Sequence, residues 1–412
     1  MRAPLALLLF GAAAARGAML PGFRVQLLGT TVGFASSIAI DSHNTIYYTT
    51  TAGNLFRFSD GQSKLVTHVK TVAEGDSGLL GMALRDDNTA IVHYTTPRET
   101  ADIVSSIDLT SGAETVLQSF VCDKDVPQRG SSPEHHGGNP SVAEDGSIFV
   151  GIGDYGGRAI AAMPEWNGGK IFRLFPDGRA QQFARGLRNP FDMAWDAAHQ
   201  RLIATDNGDV GNDEINVVHQ GDYLGWPFTE GAQAAIDGAV APVYVFPITV
   251  APTGLVALNG RNSMFPTGYL LGGFVTKAIY YIPDIDARPL PDPIPVIRGE
   301  TGYIIDIAQT SNGDVYFVSG SAIYRLIEPQ RGDCNGDGRV DAADVAALAQ
   351  ELLDGNPEPA IAAQNGSFPG SWGCDVNGDG LIDSRDMTAL LGIVSVRSRA
   401  VRGGRDGASG RH

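Results

Sequence analysis

The chain has 412 residues, of which 43% are hydrophobic, and a formal net charge of −16 at pH 7. That length accommodates one large domain and a small one, and the acidic surface excludes nucleic acid and anionic membrane as natural partners. Its 52 glycines and 23 prolines describe a turn-rich, β-rich body.

The first residues read MRAPLALLLFGAAAARGA. One basic residue, Arg2, precedes an apolar run from Pro4 to Phe10, and Ala13-Ala14-Ala15 offers a small-residue cleavage site. This pattern predicts a signal peptide over residues 1–18, hence a secreted, periplasmic or extracellular protein. The run is too short to cross ~30 Å of hydrocarbon, and no later stretch is apolar enough to span a bilayer.

From Leu20 to Pro329 one phrase recurs: an apolar strand, a polar turn, a second strand, another turn and a third strand. Copies begin near Ser36, Gly78, Asn139, Phe191, Thr253 and Tyr303. Strand repeats of about 40–50 residues with Gly-containing turns predict an all-β, six-bladed β-propeller over residues 20–329. A β-sandwich lacks such a repeated phrase.

Beyond Pro329 two units of another kind appear. Asp333, Asn335, Asp337, Asp341 and Asp344 stand at loop positions 1, 3, 5, 9 and 12 of the first. Asp375, Asn377, Asp379, Asp383 and Asp386 repeat that spacing in the second, and each loop runs into an apolar helical segment. Regularly spaced oxygen donors around a sharp Gly turn suit Ca²⁺. The tandem loop–helix pattern resembles dockerin modules, predicting a small α-helical, EF-hand-like domain over residues 330–396. The resemblance implies a cohesin-type protein partner. Cys334 and Cys374 hold similar places in the two units, so a disulfide between them is expected in an oxidising compartment. Cys122 is left over, and the Arg-rich segment 397–412 reads as a disordered tail.

Chemistry-bearing residues concentrate between Glu134 and Pro227, at the ends of short apolar runs. Loops at strand ends are where a rigid scaffold presents functional groups. A His beside carboxylates, as in Glu134-His135 with Asp154, is a candidate general base. Arg188-Asn189 suits anionic oxygens, and the acidic run Asp206 to Glu214 suits a hard cation.

The phrases EHHGG with GIGD, GLRNPFDMAWD, DNGDVGNDEIN and DYLGWP resemble the soluble aldose sugar dehydrogenases of the glucose/sorbosone dehydrogenase family, six-bladed propellers that use pyrroloquinoline quinone and Ca²⁺. The resemblance implies that His135 is the base, with Glu134 as its acidic neighbour and Asp154 orienting it. It implies that Arg188 and Asn189 contact quinone and substrate, and that Lys277 binds the cofactor. Backbone carbonyls of Gly208 and Asp209 would hold the cofactor calcium, and Asp213, Glu214 and Tyr223 a further calcium. The sequence departs from the family at Asn139, where an Arg is usual, at Asp76, where a Gln stands near the cofactor, and at Asp209, where Pro is usual. Tyr303-Ile304-Ile305-Asp306 replaces an Arg-x-Arg-Asp phrase. Each lost Arg–carboxylate contact costs about 1.5–3 kcal/mol.

Two functions follow from this reading. One is an exported quinoprotein that oxidises a sugar at its hydroxyl-bearing carbon and passes electrons to an unknown acceptor. The other is a non-catalytic propeller that binds carbohydrate or protein.

Overall fold

The computed structural model describes residues 23–122 and 134–403, with short breaks at 232, 234–235, 263, 300, 329, 336–337, 355–357, 360–371 and 378–380. The expected signal peptide, Asp337, Asp379 and residues 404–412 lie outside the described residues.

Runs such as Ile46–Thr50, Ile148–Ile152 and Tyr269–Gly273 are buried along their whole length. A strand buried on both faces shows a continuous apolar run rather than alternation. Each is the second strand of a four-stranded antiparallel sheet, and six such sheets form the blades of a β-propeller. Blade 1 begins at Ala35–Ile40, blade 2 at Leu79–Asp86 and blade 3 at Ser141–Val142. Blades 4, 5 and 6 begin at Pro190–Asp196, Pro252–Ala257 and Asp306–Gln309. Apolar clusters fill the space between neighbouring blades; one, between blades 2 and 3, joins Ile91, Val104 and Phe120 to Ile148, Val150 and Phe172.

The three-strand phrase of the sequence corresponds to four strands in the structure. The missing fourth strand is the outermost one. Gln62–His68, in blade 1, has no fully buried residue, so its apolar signal is weak. In blade 6 the outer strand comes from the other end of the domain. Arg24–Thr30 pairs antiparallel with Ala322–Ile327, from Arg24 opposite Ile327 to Thr30 opposite Ala322. This closes the ring and satisfies what would otherwise be an open sheet edge.

Inner strands surround a polar channel. Asp306 accepts from Ser37 Oγ at 2.7 Å and from the Ile38 amide at 2.9 Å. Asp192 accepts from Asn139 Nδ2 at 3.0 Å and from the Leu255 amide at 2.7 Å. Burial, and then the charge of Asp306, pushes the Asp192 carboxyl well above the usual carboxylate range. Burial pushes Asp306 up to about 7. Asn139 donates to Asp192 but brings no positive charge to this carboxyl pair, so burial favours a proton there.

The C-terminal unit has helix α1 (Ala342–Glu351) and helix α2 (Ser384–Gly403). Its core contains Val340, Leu348, Val376, Ile382 and Leu390. Cys334 and Cys374 form the expected disulfide, with Cα atoms 4.6 Å apart. Helix α2 carries part of the segment expected to be disordered, since residues 397–403 continue it. Arg, which recurs in this segment, and Ala are good helix formers.

Candidate functional site

One end of the propeller carries the loops that enter each blade and those that join its second and third strands. These loops line a cavity of about 520 Å³ that holds His135, Arg188, Asn189, Asn207, Gly208, Asp213 and Asp76. Residues spread over more than a hundred positions of sequence thus reach one pocket.

His135 enters blade 3 with a left-handed backbone (φ 58°). Non-Gly residues adopt this region rarely, and histidine is among those that tolerate it best. The next turn requires glycine: a Cβ at Gly137 would lie 2.0 Å from the Gly151 carbonyl oxygen, and one at Gly138 equally close to that of Phe191. The Gly pair therefore lets the loop press between strands and fixes where His135 stands.

His135 Nδ1 lies 2.7 Å from Asp154 Oδ1, and that carboxylate is fully buried. Trp226 Nε1 donates to the other oxygen at 2.8 Å, and the Gly156 amide donates to the first at 2.9 Å. Asp154 is thereby held on three sides. With Nδ1–H directed at a carboxylate, Nε2 carries the lone pair. Trp226 is a positioning residue that the sequence reading did not single out; only the phrase DYLGWP marked its neighbourhood.

Arg188 is anchored through its own backbone, whose amide donates to Asp206 at 2.9 Å, while Nη1 donates to the Asn207 carbonyl at 2.9 Å. Asn189 donates its amide to Asp206 at 2.6 Å and accepts from the Gly137 amide at 3.1 Å. The Arg-Asn pair thus connects the blade 4 entry to the loop carrying His135. Asn207 Oδ1 is buried beside them with no hydrogen-bond partner among the described residues.

The acidic residues do different work from one another. Asp213 accepts from the amides of Gly208 (3.1 Å), Val250 (2.7 Å) and Ala251 (2.8 Å), and so clamps two pocket loops together. Glu214 accepts from the Gly231 amide at 2.6 Å. Burial, reinforced by Glu230 and Asp213, pushes Glu214 up to about 7. Burial and the charge of Glu214 also push Asp206 well above the usual carboxylate range. The Asp209 amide donates to Glu230, and its side chain pairs with Arg158 at 3.1 Å. Such crowding of carboxyl groups fits either protonation or a cation among them.

Of the remaining expected site residues, Asp76 lines the cavity, whereas Glu134, Tyr223 and Lys277 are not among the residues that line it. Glu134 is exposed and is not among the residues lining the cavity. Asp76, also exposed, accepts from the His135 amide at 3.3 Å. Tyr223 stacks under Arg185, and its hydroxyl donates to the Gly225 carbonyl at 3.0 Å. Lys277 is exposed at the rim, with Nζ 5.1 Å from the centre of the Tyr303 ring. Tyr303 lies flat on Phe274, with centroids 4.2 Å apart, and Phe274 lines the cavity.

The two C-terminal loops are built alike. Asp344 accepts from the amides of Asn335 (3.2 Å) and Asp341 (2.7 Å). Asp386 accepts from those of Asn377 (3.0 Å) and Asp383 (2.8 Å). Asp341 also caps α1 in a reciprocal capping box with Asp344. Asp333 accepts from the Gly338 amide at 2.8 Å.

Residues 35–327 match the family model for Glucose / Sorbosone dehydrogenase. The chain belongs to the glucose/sorbosone dehydrogenase family. Residues 331–393 match the dockerin type I domain. Among curated relatives, the aldose sugar dehydrogenase YliI of Escherichia coli is 25% identical over 226 residues, 46% of this chain and 61% of that protein. Quinoprotein glucose dehydrogenase B of Acinetobacter calcoaceticus is 25% identical over 250 residues, 46% of this chain and 49% of that protein. The chain thus spans about half to three-fifths of the length of these relatives. The PQQ-bound aldose sugar dehydrogenase of Streptomyces coelicolor superposes with a TM-score of 0.63 at 21% identity, over 75% of this chain and 99% of that one. The apo form of the soluble Escherichia coli aldose sugar dehydrogenase gives 0.62 at 19% identity, over 75% and 100%. These likenesses establish the propeller fold. Of the two last-blade positions where arginines are expected, Tyr303 stacks on Phe274 with Lys277 over its ring, and Ile305 lines the cavity.

Proposed function

We propose that the protein is an exported quinoprotein that oxidises an aldose or related sugar at its hydroxyl-bearing carbon. The observation that carries the proposal is the His135–Asp154–Trp226 chain of hydrogen bonds at the wall of the cavity. Asp154 holds the imidazole in the tautomer whose Nε2 accepts a proton, and charge that develops on the ring is compensated by the carboxylate. His135 takes the proton of the sugar hydroxyl. Arg188, half-buried and tied to the Asn207 carbonyl, offers its remaining N–H groups to substrate or cofactor oxygens.

The residues present fit pyrroloquinoline quinone and calcium. The cavity is large enough for a flat polycyclic ligand, and Phe274 supplies an aromatic wall. Arg188 and Lys277 are cations for its carboxylates, and Asn189 adds a polar contact. Asp76 and Asp213 on the same cavity call for a cation beside an anionic cofactor, with Gly208 and Asp209 carbonyls as its ligands. The cofactor, when bound, supplies the two-electron acceptor for hydride. In the C-terminal unit, the paired loops would hold Ca²⁺ and dock a cohesin-type protein.

Reconstitution tests the reading. The full chain is titrated with pyrroloquinoline quinone in excess Ca²⁺, then assayed with aldoses and an artificial electron acceptor. Saturable quinone binding and sugar-dependent reduction are expected. Binding without turnover would move the search to other alcohols. Absence of binding at saturating Ca²⁺ would favour a non-catalytic carbohydrate- or protein-binding propeller, a reading supported by Tyr303 and Ile305 at the two positions where the resemblance expects arginines.

A further inference from the structure

Behind the loop that carries His135 lies a second cluster that the proposed reaction does not use. Asp102 sits on the third strand of blade 2 (Ala101–Asp108), Cys122 directly follows the fourth (Glu114–Val121), and His136 belongs to the loop entering blade 3. All three are buried, and their ligand atoms lie within 4.8 Å of one another. His136 Nδ1 is 3.0 and 3.2 Å from the two Asp102 oxygens, and Cys122 Sγ is 3.7 Å from Asp102 Oδ2.

The geometry points to a buried site for a divalent transition-metal ion of the zinc class, bound by Asp102 Oδ2, Cys122 Sγ and His136 Nδ1. Zinc takes nitrogen and oxygen at about 2.0–2.1 Å and thiolate at about 2.3 Å in a tetrahedron, so its ligand atoms stand about 3.3–3.6 Å apart. The His136 Nδ1–Asp102 Oδ2 and Cys122 Sγ–Asp102 Oδ2 spacings, 3.2 and 3.7 Å, lie close to such edges, and the third pair lies within 4.8 Å. A fourth buried group borders the cluster: the Tyr155 hydroxyl has Cys122 and Asp102 as its hydrogen-bonding neighbours. Its surroundings are Asp102 and Cys122, and its ring centre is 5.4 Å from that of His136.

Charge supports this assignment. A carboxylate, a thiolate and a neutral imidazole around a divalent ion sum to zero, as a fully buried site requires. Binding displaces the thiol proton, and the proton between His136 and Asp102 moves to His136 Nε2, so that the imidazole stays neutral. Thr95 Oγ1, which donates to Asp102 Oδ1 at 2.9 Å, is an outer support for the carboxylate. Because the ligands come from both blades and are shielded from solvent, the ion enters as these blades close during folding. It then pins the residue next to His135 and ties the end of blade 2 to the pocket wall.

The test is metal content of the full chain after refolding in Zn²⁺ with excess Ca²⁺, followed by exhaustive dialysis. About one equivalent of zinc per chain is expected for the wild type and none for Cys122→Ala, whose substitution leaves the Cys334–Cys374 disulfide intact. Should that variant fail to fold, Co²⁺ substitution of the wild type decides. A thiolate-to-cobalt charge-transfer band supports the site, and its absence overturns it. A wild type that retains no zinc, or a Cys122→Ala protein that retains as much as the wild type, also overturns it. Asp102 and His136 are then a metal-free hydrogen-bonded pair.

Discussion

Asp154 illustrates how a single buried carboxylate sets the chemistry of its neighbour. It faces the His135 imidazole and is itself fixed by an indole N–H and a backbone amide. On the proposed reading His135 is the base, and His135→Ala should then lower kcat about 10²–10⁴-fold while quinone binding persists. Asp154→Asn keeps the shape but offers the ring the wrong hydrogen-bond partner, and a loss of about 10²-fold or more is expected. Trp226→Phe removes one hydrogen bond to a charged acceptor, worth about 1.5–3 kcal/mol, so a loss of about tenfold or more in kcat should follow. Steady-state assays of the three reconstituted variants check this order.

At the scale of elements, the inner strands bring Asp192 and Asp306 together across the channel, with Ser37 and Asn139 as their polar neighbours. An unfolded Asp titrates near ~3.9, whereas Asp306 is raised to about 7 in the fold. Between those values the native state binds more protons than the unfolded chain, so stability declines as pH rises through this window. Below it, both states are protonated and the contribution is complete. Thermal unfolding followed from about pH 4 to pH 8 should therefore show this loss, and Asp306→Asn should flatten it. A second element to test is the outer strand of blade 6. Deleting residues 23–30 removes the strand paired with Ala322–Ile327, re-exposes that edge, and should lower the unfolding temperature and promote aggregation.

For the molecule as a whole, propeller and C-terminal unit rest on different forces. Blades are held by apolar clusters between sheets, whereas the small unit has a short core, a disulfide and paired acidic loops. Chelation of Ca²⁺ should therefore loosen the C-terminal unit first, seen as selective loss of its amide-exchange protection. Reduction of Cys334–Cys374, which closes a loop spanning 40 positions, should cost that unit about 2–4 kcal/mol and leave the propeller transition in place.

Six blades were legible because each places an apolar strand before a Gly-containing turn, and burial on both faces makes such strands continuous in hydrophobicity. The calcium-type loops were legible because their oxygen donors recur at fixed local offsets, and the Cys334–Cys374 pairing was suggested by the similar places of the two cysteines in the repeated units. His135, Asp154, Arg188 and Asn189 also stood out by residue type and phrase. Sequence alone did not reveal the polar outer strands, the closure of blade 6 by Arg24–Thr30, or the role of Trp226. Nor did it reveal that Glu134 faces solvent, that Lys277 lies over Tyr303, or that Cys122 joins Asp102 and His136. Each of these depends on which distant strands become neighbours when the ring closes. Local composition determines a strand or a turn, but a contact across blades is decided by tertiary packing.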